Sequence, residues 1–147
     1  MILIDTGPLV ALFDRRDEQH ERCVATASSI TDALVTTDAV LTEVFHMLRP
    51  GTDNCAAFQS FVAEPAMKRW AVDDEGLRRS IDLMVEYADH QMDFADATLV
   101  AAAESLRIDT IFTLDRRDFT AYRPRIGRTL SRFRILQGTS EQIHMSS

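Results

Sequence analysis

The chain has 147 residues, of which 46% are hydrophobic and 27% charged, and its formal net charge is −7. This length suits a single domain with a continuous core, and the composition is that of a folded globular protein rather than a disordered or membrane-spanning one. The sequence shows no secretory signal, so we expect a cytoplasmic protein with no membrane association. Cys23 and Cys55 lie in apolar helical patterns, which favours a packing role for both.

Acidic and basic residues are segregated along the chain. Of the 23 acids, 22 precede Phe119, whereas seven arginines lie between Arg116 and Arg134 against the single acid Asp118. Arginine binds phosphates and carboxylates through its planar fork. This basic segment therefore suits contact with nucleic acid, although a solvated basic surface fits the same pattern.

The first predicted element is a short apolar strand over residues 2–4 that ends at Asp5. Thr6-Gly7-Pro8 follows and places a proline where a helix would begin. Apolar residues at helical spacing predict a helix over 17–31, and a second strand is predicted over 33–37.

The next helix is predicted over 39–49, with Asp38 as its N-cap and Pro50-Gly51 after its end. Val40, Val44, Met47 and Leu48 define one apolar side. Glu43 lies on that same side, so we expect its carboxylate to project from or beside the apolar stripe.

The middle of the chain shows scaffold patterns without candidate chemistry. A helix over 53–63, a strand over 68–72 and a helix capped by Asp74 are predicted. The apolar stripe of that last helix is expected to consist of Leu77, Ile81, Met84 and Ala88.

A helix over 94–106 is apolar almost all round, which indicates an internal helix. Asp93 precedes it at the distance of an N-cap, although contact with a metal is the alternative role. Asp96 lies in the first turn, where a charge facing the interior requires the helix dipole, hydrogen bonds or a cation to compensate it.

Strands over 110–113 and 133–136 complete the predicted elements, and Asp115 follows the first of them. We expect one domain over residues 1–137 and a polar tail over 138–147. Alternating strands and helices predict an α/β fold of three layers, with a mostly parallel central sheet flanked by helices.

Four acids are expected to meet at one edge of this sheet. Asp5 and Asp115 sit just past strand ends, and right-handed crossovers bring Glu43 and Asp96 toward the same edge. Four carboxylates without basic partners repel one another unless they protonate or recruit cations. Carboxylate oxygens select Mg²⁺ or Mn²⁺, and hydrolysis of a phosphate ester is the matching chemistry.

Each candidate also has an ordinary structural interpretation. Asp5 and Asp115 would be turn residues, Glu43 a solvated helix residue and Asp96 a complement to the helix dipole. Thr6 and Thr113 either hydrogen-bond the acids or simply cap and pack, and Asp118 is interpreted as a local cap or an arginine partner. The four histidines show no metal-binding spacing.

Two other enzyme or signalling classes place acids at strand ends of an α/β sheet. A receiver-type phosphoacceptor domain requires a lysine beyond a late strand, but the only lysine, Lys68, lies in mid-chain. A haloacid-dehalogenase-like phosphatase requires a second Asp two residues after the first, where this chain has Gly7.

The acids and their neighbours resemble the motifs of PIN-domain ribonucleases, particularly VapC-type toxins of type II toxin-antitoxin modules. The resemblance spans roughly residues 1 to 136, and Asp93 departs from it because Ser or Thr is common at that position. Its four motifs are residues 4–12 with Asp5, Thr42-Glu43-Val44, Phe94-Ala95-Asp96-Ala97, and Thr113-Leu114-Asp115 followed by Arg116-Arg117-Asp118-Phe119.

This resemblance implies a metal-dependent endoribonuclease with Asp5, Glu43, Asp96 and Asp115 as catalytic acids and Asp5, Asp96 and Asp115 as ligands of Mg²⁺ or Mn²⁺. It also implies an RNA substrate, a cognate antitoxin and a homodimer. Arg116 and Arg117 are then candidates for contact with RNA phosphates. A PIN-like module that binds RNA or protein without cutting is the alternative.

Overall fold

The structure is a computed structural model that describes residues 1–64 and 66–137. Within these ranges, five parallel strands form a central sheet and two short strands form a separate antiparallel hairpin. The strands are β1 (Ile2–Ile4), β2 (Leu34–Thr37), β3 (Met67–Trp70), β4 (Thr110–Phe112), β5 (Arg125–Ile126), β6 (Thr129–Leu130) and β7 (Arg134–Leu136).

Seven α-helices pack around the sheet in the described ranges. A short 3₁₀ helix, Ala88–His90, separates the fifth from the sixth. The α-helices are α1 (Thr6–Phe13), α2 (His20–Ser29), α3 (Asp38–Leu48), α4 (Asp53–Ala63), α5 (Asp74–Glu86), α6 (Phe94–Leu106) and α7 (Arg116–Ala121).

The central sheet has the order β3-β2-β1-β4-β7, and all neighbouring strands run parallel. The chain steps outward from β1 to β2 and β3, then returns across β1 to form β4. Because parallel crossovers are right-handed, this reversal places α1–α4 on one face and α5 and α6 on the other. The predicted three-layer α/β fold is thereby confirmed, and the reversal lies between the carboxyl ends of β1 and β4, where such sheets bind ligands.

Helix α6 is buried, as its all-round apolar sequence predicts. Eight of its residues are buried, among them Thr98, Leu99 and the run Ala101–Ala103. The helix packs against α5 on one side and reaches β2 and α3 on the other. Alanine side chains are small, so neighbouring elements can pack closely against α6 on several sides. The first turn of this buried helix therefore lies next to the sheet edge.

The prediction for the buried face of α5 is wrong. Leu77 and Ile81 are 44% and 48% exposed, whereas Gly76, Ser80 and Leu83 are buried. A Cβ at position 76 would lie 2.8 Å from Cη2 of Trp70, which explains the glycine on the packed side. Helix α5 packs mainly against the alanine-rich α6, and the small residues on its buried side suit a close approach of other elements.

Two predicted N-caps are each displaced by one residue. Thr37, not Asp38, caps α3, and Asp38 instead forms an exposed ion pair with Arg69 at 2.7 Å. Asp73, not Asp74, caps α5 by accepting a hydrogen bond from the N–H of Gly76 at 2.7 Å. In both cases the capping residue has the extended backbone that an N-cap requires, and the following acid is already helical.

The segment after Asp115 contains more regular structure than the sequence patterns predict. It forms α7 and then the β5–β6 hairpin, where Gly127 adopts a φ of 66° at the turn. Glycine tolerates that conformation without steric cost. The predicted polar tail, residues 138–147, lies outside the described residues. None of the described helices has the length and apolar character needed to cross a membrane.

Candidate active site

Asp5 links the end of β1 to the start of α1 and is buried, with 8% exposure. Its two carboxylate oxygens accept separate hydrogen bonds at 2.8 Å, one from the N–H of Thr6 and one from the hydroxyl of Thr113. The hydroxyl of Thr113 also accepts a hydrogen bond from the N–H of Asp115 at 3.0 Å. Thr113, itself fully buried, therefore connects the acids that follow β1 and β4.

Glu43 reaches the same edge from α3. The hydroxyl of Thr6 donates a hydrogen bond to Oε1 of Glu43 at 2.6 Å, so the first residue of α1 holds an acid of another helix. The structure thus places both Thr6 and Thr113 in contact with predicted site acids, rather than in capping or packing roles alone. Their contribution to activity stays a prediction.

Asp93 and Asp96 have different roles at the start of α6. Asp93 is the N-cap, and its carboxylate accepts a hydrogen bond from the N–H of Asp96 at 2.8 Å. This confirms the capping interpretation of Asp93. The side chain of Asp96 is partly buried and accepts a hydrogen bond from the hydroxyl of Tyr122 at 2.9 Å.

Asp96, Asp115 and Asp118 form a cluster in which one potential ligand oxygen from each lies within 4.8 Å of the others. Asp115 also caps α7 by accepting a hydrogen bond from the N–H of Asp118 at 3.1 Å. The sequence interpretation of Asp118 as a cap or arginine partner therefore missed its place beside two site acids. The signal was present in the spacing, because residues three apart share a helix face.

Burial and the charges of neighbouring acids raise the pKa values of Asp5 and Asp96. Burial raises the pKa of Asp5 from its ordinary 3.8 to about 6, against hydrogen bonds from Thr113 and Thr6 and with help from the charges of Glu43 and Asp115. Burial, followed by the charges of Asp5 and Asp93, raises the pKa of Asp96 to about 8.

Asp118 is affected as well. Its hydrogen bond with Asp115 raises its pKa, and the charge of Arg117 opposes that shift. Asp5 and Glu43 lie outside the cluster of three, but the charge of Asp5 acts on Asp96 and that of Glu43 acts on Asp5. The structure therefore brings all four predicted acids into one electrostatically coupled site.

Comparison with known proteins establishes the family. The sequence model of the PIN domain matches residues 2–123. The chain belongs to the PIN domain family. Ribonuclease VapC26 of Mycobacterium tuberculosis is 33% identical to this chain over 128 residues, which cover 84% of this chain and 93% of VapC26.

Solved structures show the same fold as this PIN domain. VapC20 of M. tuberculosis, a sarcin-ricin loop cleaving toxin, superposes with a TM-score of 0.70 at 20% identity, covering 76% of this chain and 87% of its own. A toxin-antitoxin complex from Klebsiella pneumoniae gives a TM-score of 0.61 at 17% identity, covering 95% of this chain and 98% of the chain compared. At these identities the likeness concerns the fold.

The donor set of this PIN domain fits a hard divalent cation. The candidate ligands are carboxylate oxygens, which select Mg²⁺ or Mn²⁺ over softer metals. Within residues 1–64 and 66–137, the ion pairs join Arg69 to Asp38 and Arg79 to Glu104, so neither neutralises a site acid. A bound cation would offset the burial and the neighbouring negative charges that raise the pKa values of Asp5 and Asp96.

Two arginines stand beside the acids in the first turn of α7. Arg116 and Arg117 are both exposed, directly after Asp115. Farther along, the guanidinium of Arg123 donates to the carbonyl of Tyr122 at 3.1 Å, and the N–H of Arg125 donates to Glu104. The backbone of Arg125 is therefore held near the last turns of α6, whereas the site acid Asp96 lies in its first turn.

Proposed function

We propose that this PIN domain is a metal-dependent endoribonuclease that hydrolyses RNA phosphodiester bonds and acts as the toxin of a toxin-antitoxin pair. The observation that carries the proposal is the clustering of Asp96 and Asp115 within 4.8 Å, next to a buried Asp5 that Thr113 ties to the same edge. The 33% identity to Ribonuclease VapC26 supports RNA as the substrate.

Asp5, Asp96 and Asp115 are the residues that would hold the cation. A bound divalent ion lowers the pKa of water and stabilises charge on the scissile phosphate. Thr113 holds Asp5 and the backbone of Asp115 in register, so that the ligands from β1 and β4 keep a fixed separation.

Glu43 has a different role in this proposal. Its carboxylate is held by the hydroxyl of Thr6 at 2.6 Å and leaves the second oxygen to accept a proton from an attacking water. Since Thr6 also donates its N–H to Asp5, Glu43 and Asp5 are aligned by the same residue.

Arg116 and Arg117 would bind the phosphates that flank the cleavage site. Both are exposed in the first turn of the helix that Asp115 caps, so they are the basic side chains that adjoin this acid in sequence. These contacts are independent of base identity and position the strand rather than select its sequence.

Cleavage of RNA by purified protein tests this proposal. We expect cleavage with Mg²⁺ or Mn²⁺, none with EDTA, and a loss of at least about 100-fold in Asp5→Asn and Asp96→Asn. Asp32→Asn, an exposed acid in the loop before β2, is the matched control and should cleave like wild type. Metal-dependent cleavage that survives both site substitutions would overturn the assignment, and a failure to bind any divalent ion would favour the non-cutting module.

The same proposal includes an antitoxin partner and a homodimer. The structural likeness to a chain of a toxin-antitoxin complex supports the partner. An antitoxin that places an arginine against the acids would compete with the metal, because a charge-assisted pair with a carboxylate uses the same oxygens. Co-expression with the adjacent reading frame should give a stable complex with reduced cleavage. For the purified protein alone, light scattering should show twice the mass of one chain.

A further inference from the structure

Tyr122 links the end of α7 to Asp96 in the first turn of α6. It follows α7, whose N-cap is Asp115, and its side chain is 0% exposed. Its ring packs edge-on against Phe119 and Tyr87, at centroid distances of 5.1 and 5.2 Å. From this fixed position its hydroxyl donates a hydrogen bond to Oδ2 of Asp96 at 2.9 Å, across 26 residues of sequence.

We propose that Tyr122 is a positioning residue of the nuclease, and that its hydroxyl holds the carboxylate of Asp96 in the orientation that places it beside Asp115 and Asp118. The inference rests on the metal-dependent function proposed above. Tyr122 does not contact the cation or the RNA in this proposal. It acts by restricting the rotation of one ligand, because a rigid, buried phenol occupies one carboxylate oxygen and leaves the other for the metal.

The geometry favours positioning over simple packing. The aromatic ring alone would fill the space between Phe119 and Tyr87, and a phenylalanine would do this without burying a hydroxyl. A buried hydroxyl is costly unless it is hydrogen-bonded, and here its partner is a site acid. The hydroxyl also ties α6 to the segment after α7, so the ligands on these two elements keep a defined separation.

The two tyrosines of the chain provide a matched pair of variants. Tyr122→Phe keeps the ring and removes the hydroxyl that holds Asp96. Tyr87→Phe removes a hydroxyl from the adjoining ring, but that hydroxyl accepts a hydrogen bond from the N–H of Arg123 at 2.9 Å and serves the backbone. A loss that occurs only in Tyr122→Phe is therefore specific to the bond with Asp96.

The test measures Mn²⁺ binding by calorimetry on the full chain, together with RNA cleavage as a function of Mn²⁺ concentration. We expect Tyr122→Phe to bind Mn²⁺ about 10-fold more weakly, in the range found when a group that orients a metal ligand is removed. Its cleavage rate should recover at saturating Mn²⁺, so that the half-saturating concentration changes more than the maximal rate. Tyr87→Phe should bind Mn²⁺ within twofold of wild type.

The outcomes separate the two proposals. If Tyr122→Phe binds Mn²⁺ as wild type does, the positioning role is wrong and the metal-dependent function stands. If wild type binds no Mn²⁺, both are wrong. Should Tyr122→Phe fail to fold, Tyr87→Phe supplies the test, because its only tyrosine is Tyr122. Mg²⁺ must then shift the near-ultraviolet absorbance of that tyrosine, and an unchanged tyrosine band overturns the inference.

Discussion

Replacing Asp96 with Asn separates the energetic cost of a buried acid from its chemical use. Burial and neighbouring charges raise the pKa of Asp96 from 3.8 to about 8. Folded protein therefore retains a proton that the unfolded chain releases at lower pH, so the free energy of unfolding falls as pH rises from about 4 to about 8. Asn carries no charge and removes this penalty.

The expected size follows from the shift. A rise in the pKa of Asp96 from 3.8 to about 8 would lower the free energy of unfolding by on the order of 6 kcal/mol if the whole shift acted on stability. Partial exposure of Asp96 and the high effective dielectric of such sites reduce this, so we expect Asp96→Asn to stabilise metal-free protein at pH 8 by about 1–3 kcal/mol. The gain at pH 5 should be smaller. The charge penalty in wild type grows with pH from the ordinary pKa of 3.8 to the folded-state pKa of about 8, and pH 5 lies near the lower end of that range.

Urea denaturation in EDTA at pH 5 and pH 8 measures this difference for wild type, Asp96→Asn and the exposed control Asp32→Asn. The control should show no comparable gain at pH 8. An Asp96→Asn variant that is less stable than wild type at pH 8, or equally favoured at both pH values, would show that the buried charge does not destabilise the fold. The stabilised variant should also lose metal-dependent cleavage, because the buried negative charge that destabilises the fold is the charge proposed to bind the metal.

Three further variants test other parts of the molecule. Thr113→Val keeps the shape but removes the hydrogen bond that lowers the pKa of Asp5, so the acidic limb of the cleavage-pH profile should move to higher pH and urea denaturation should show a loss of about 1–3 kcal/mol. The double variant Arg116→Ala and Arg117→Ala should weaken RNA binding and reduce its log-log salt slope by up to about 1.4, with Mn²⁺ affinity unchanged in calorimetry. Leu99→Ala, at a fully buried position in α6, should cost about 2–5 kcal/mol in urea denaturation, and a loss below 1 kcal/mol would contradict the tight packing assigned to that helix.

Much of the site could be predicted from sequence because it depends on strand ends. Asp5 and Asp115 follow apolar strands, and parallel strands bring their carboxyl ends to one edge whatever the details of packing. Asp96 could be predicted from the contrast between its charge and the apolar helix that contains it. These features depend on pattern and topology, which are visible in a single chain.

The features that were wrong or missed depend on tertiary packing. The buried side of α5 includes the small residues Gly76 and Ser80, and the predicted apolar stripe leaves Leu77 and Ile81 exposed. The contact of Tyr122 with Asp96 requires the placement of a segment that follows α7. Asp118 differs from these two, because its spacing from Asp115 was readable once a helix rather than a turn was assigned there.

The most direct test of the central claim follows metal occupancy and RNA cleavage on the same sample. Metal-free protein is titrated with Mn²⁺ while binding is measured by calorimetry and cleavage by gel electrophoresis of a labelled RNA. We expect no cleavage in EDTA, a rate that rises along the occupancy curve, and loss of both signals in Asp5→Asn. Cleavage that proceeds at full rate in EDTA, or that stays unchanged as Mn²⁺ fills the site, would contradict the assignment of these acids to a metal-dependent ribonuclease.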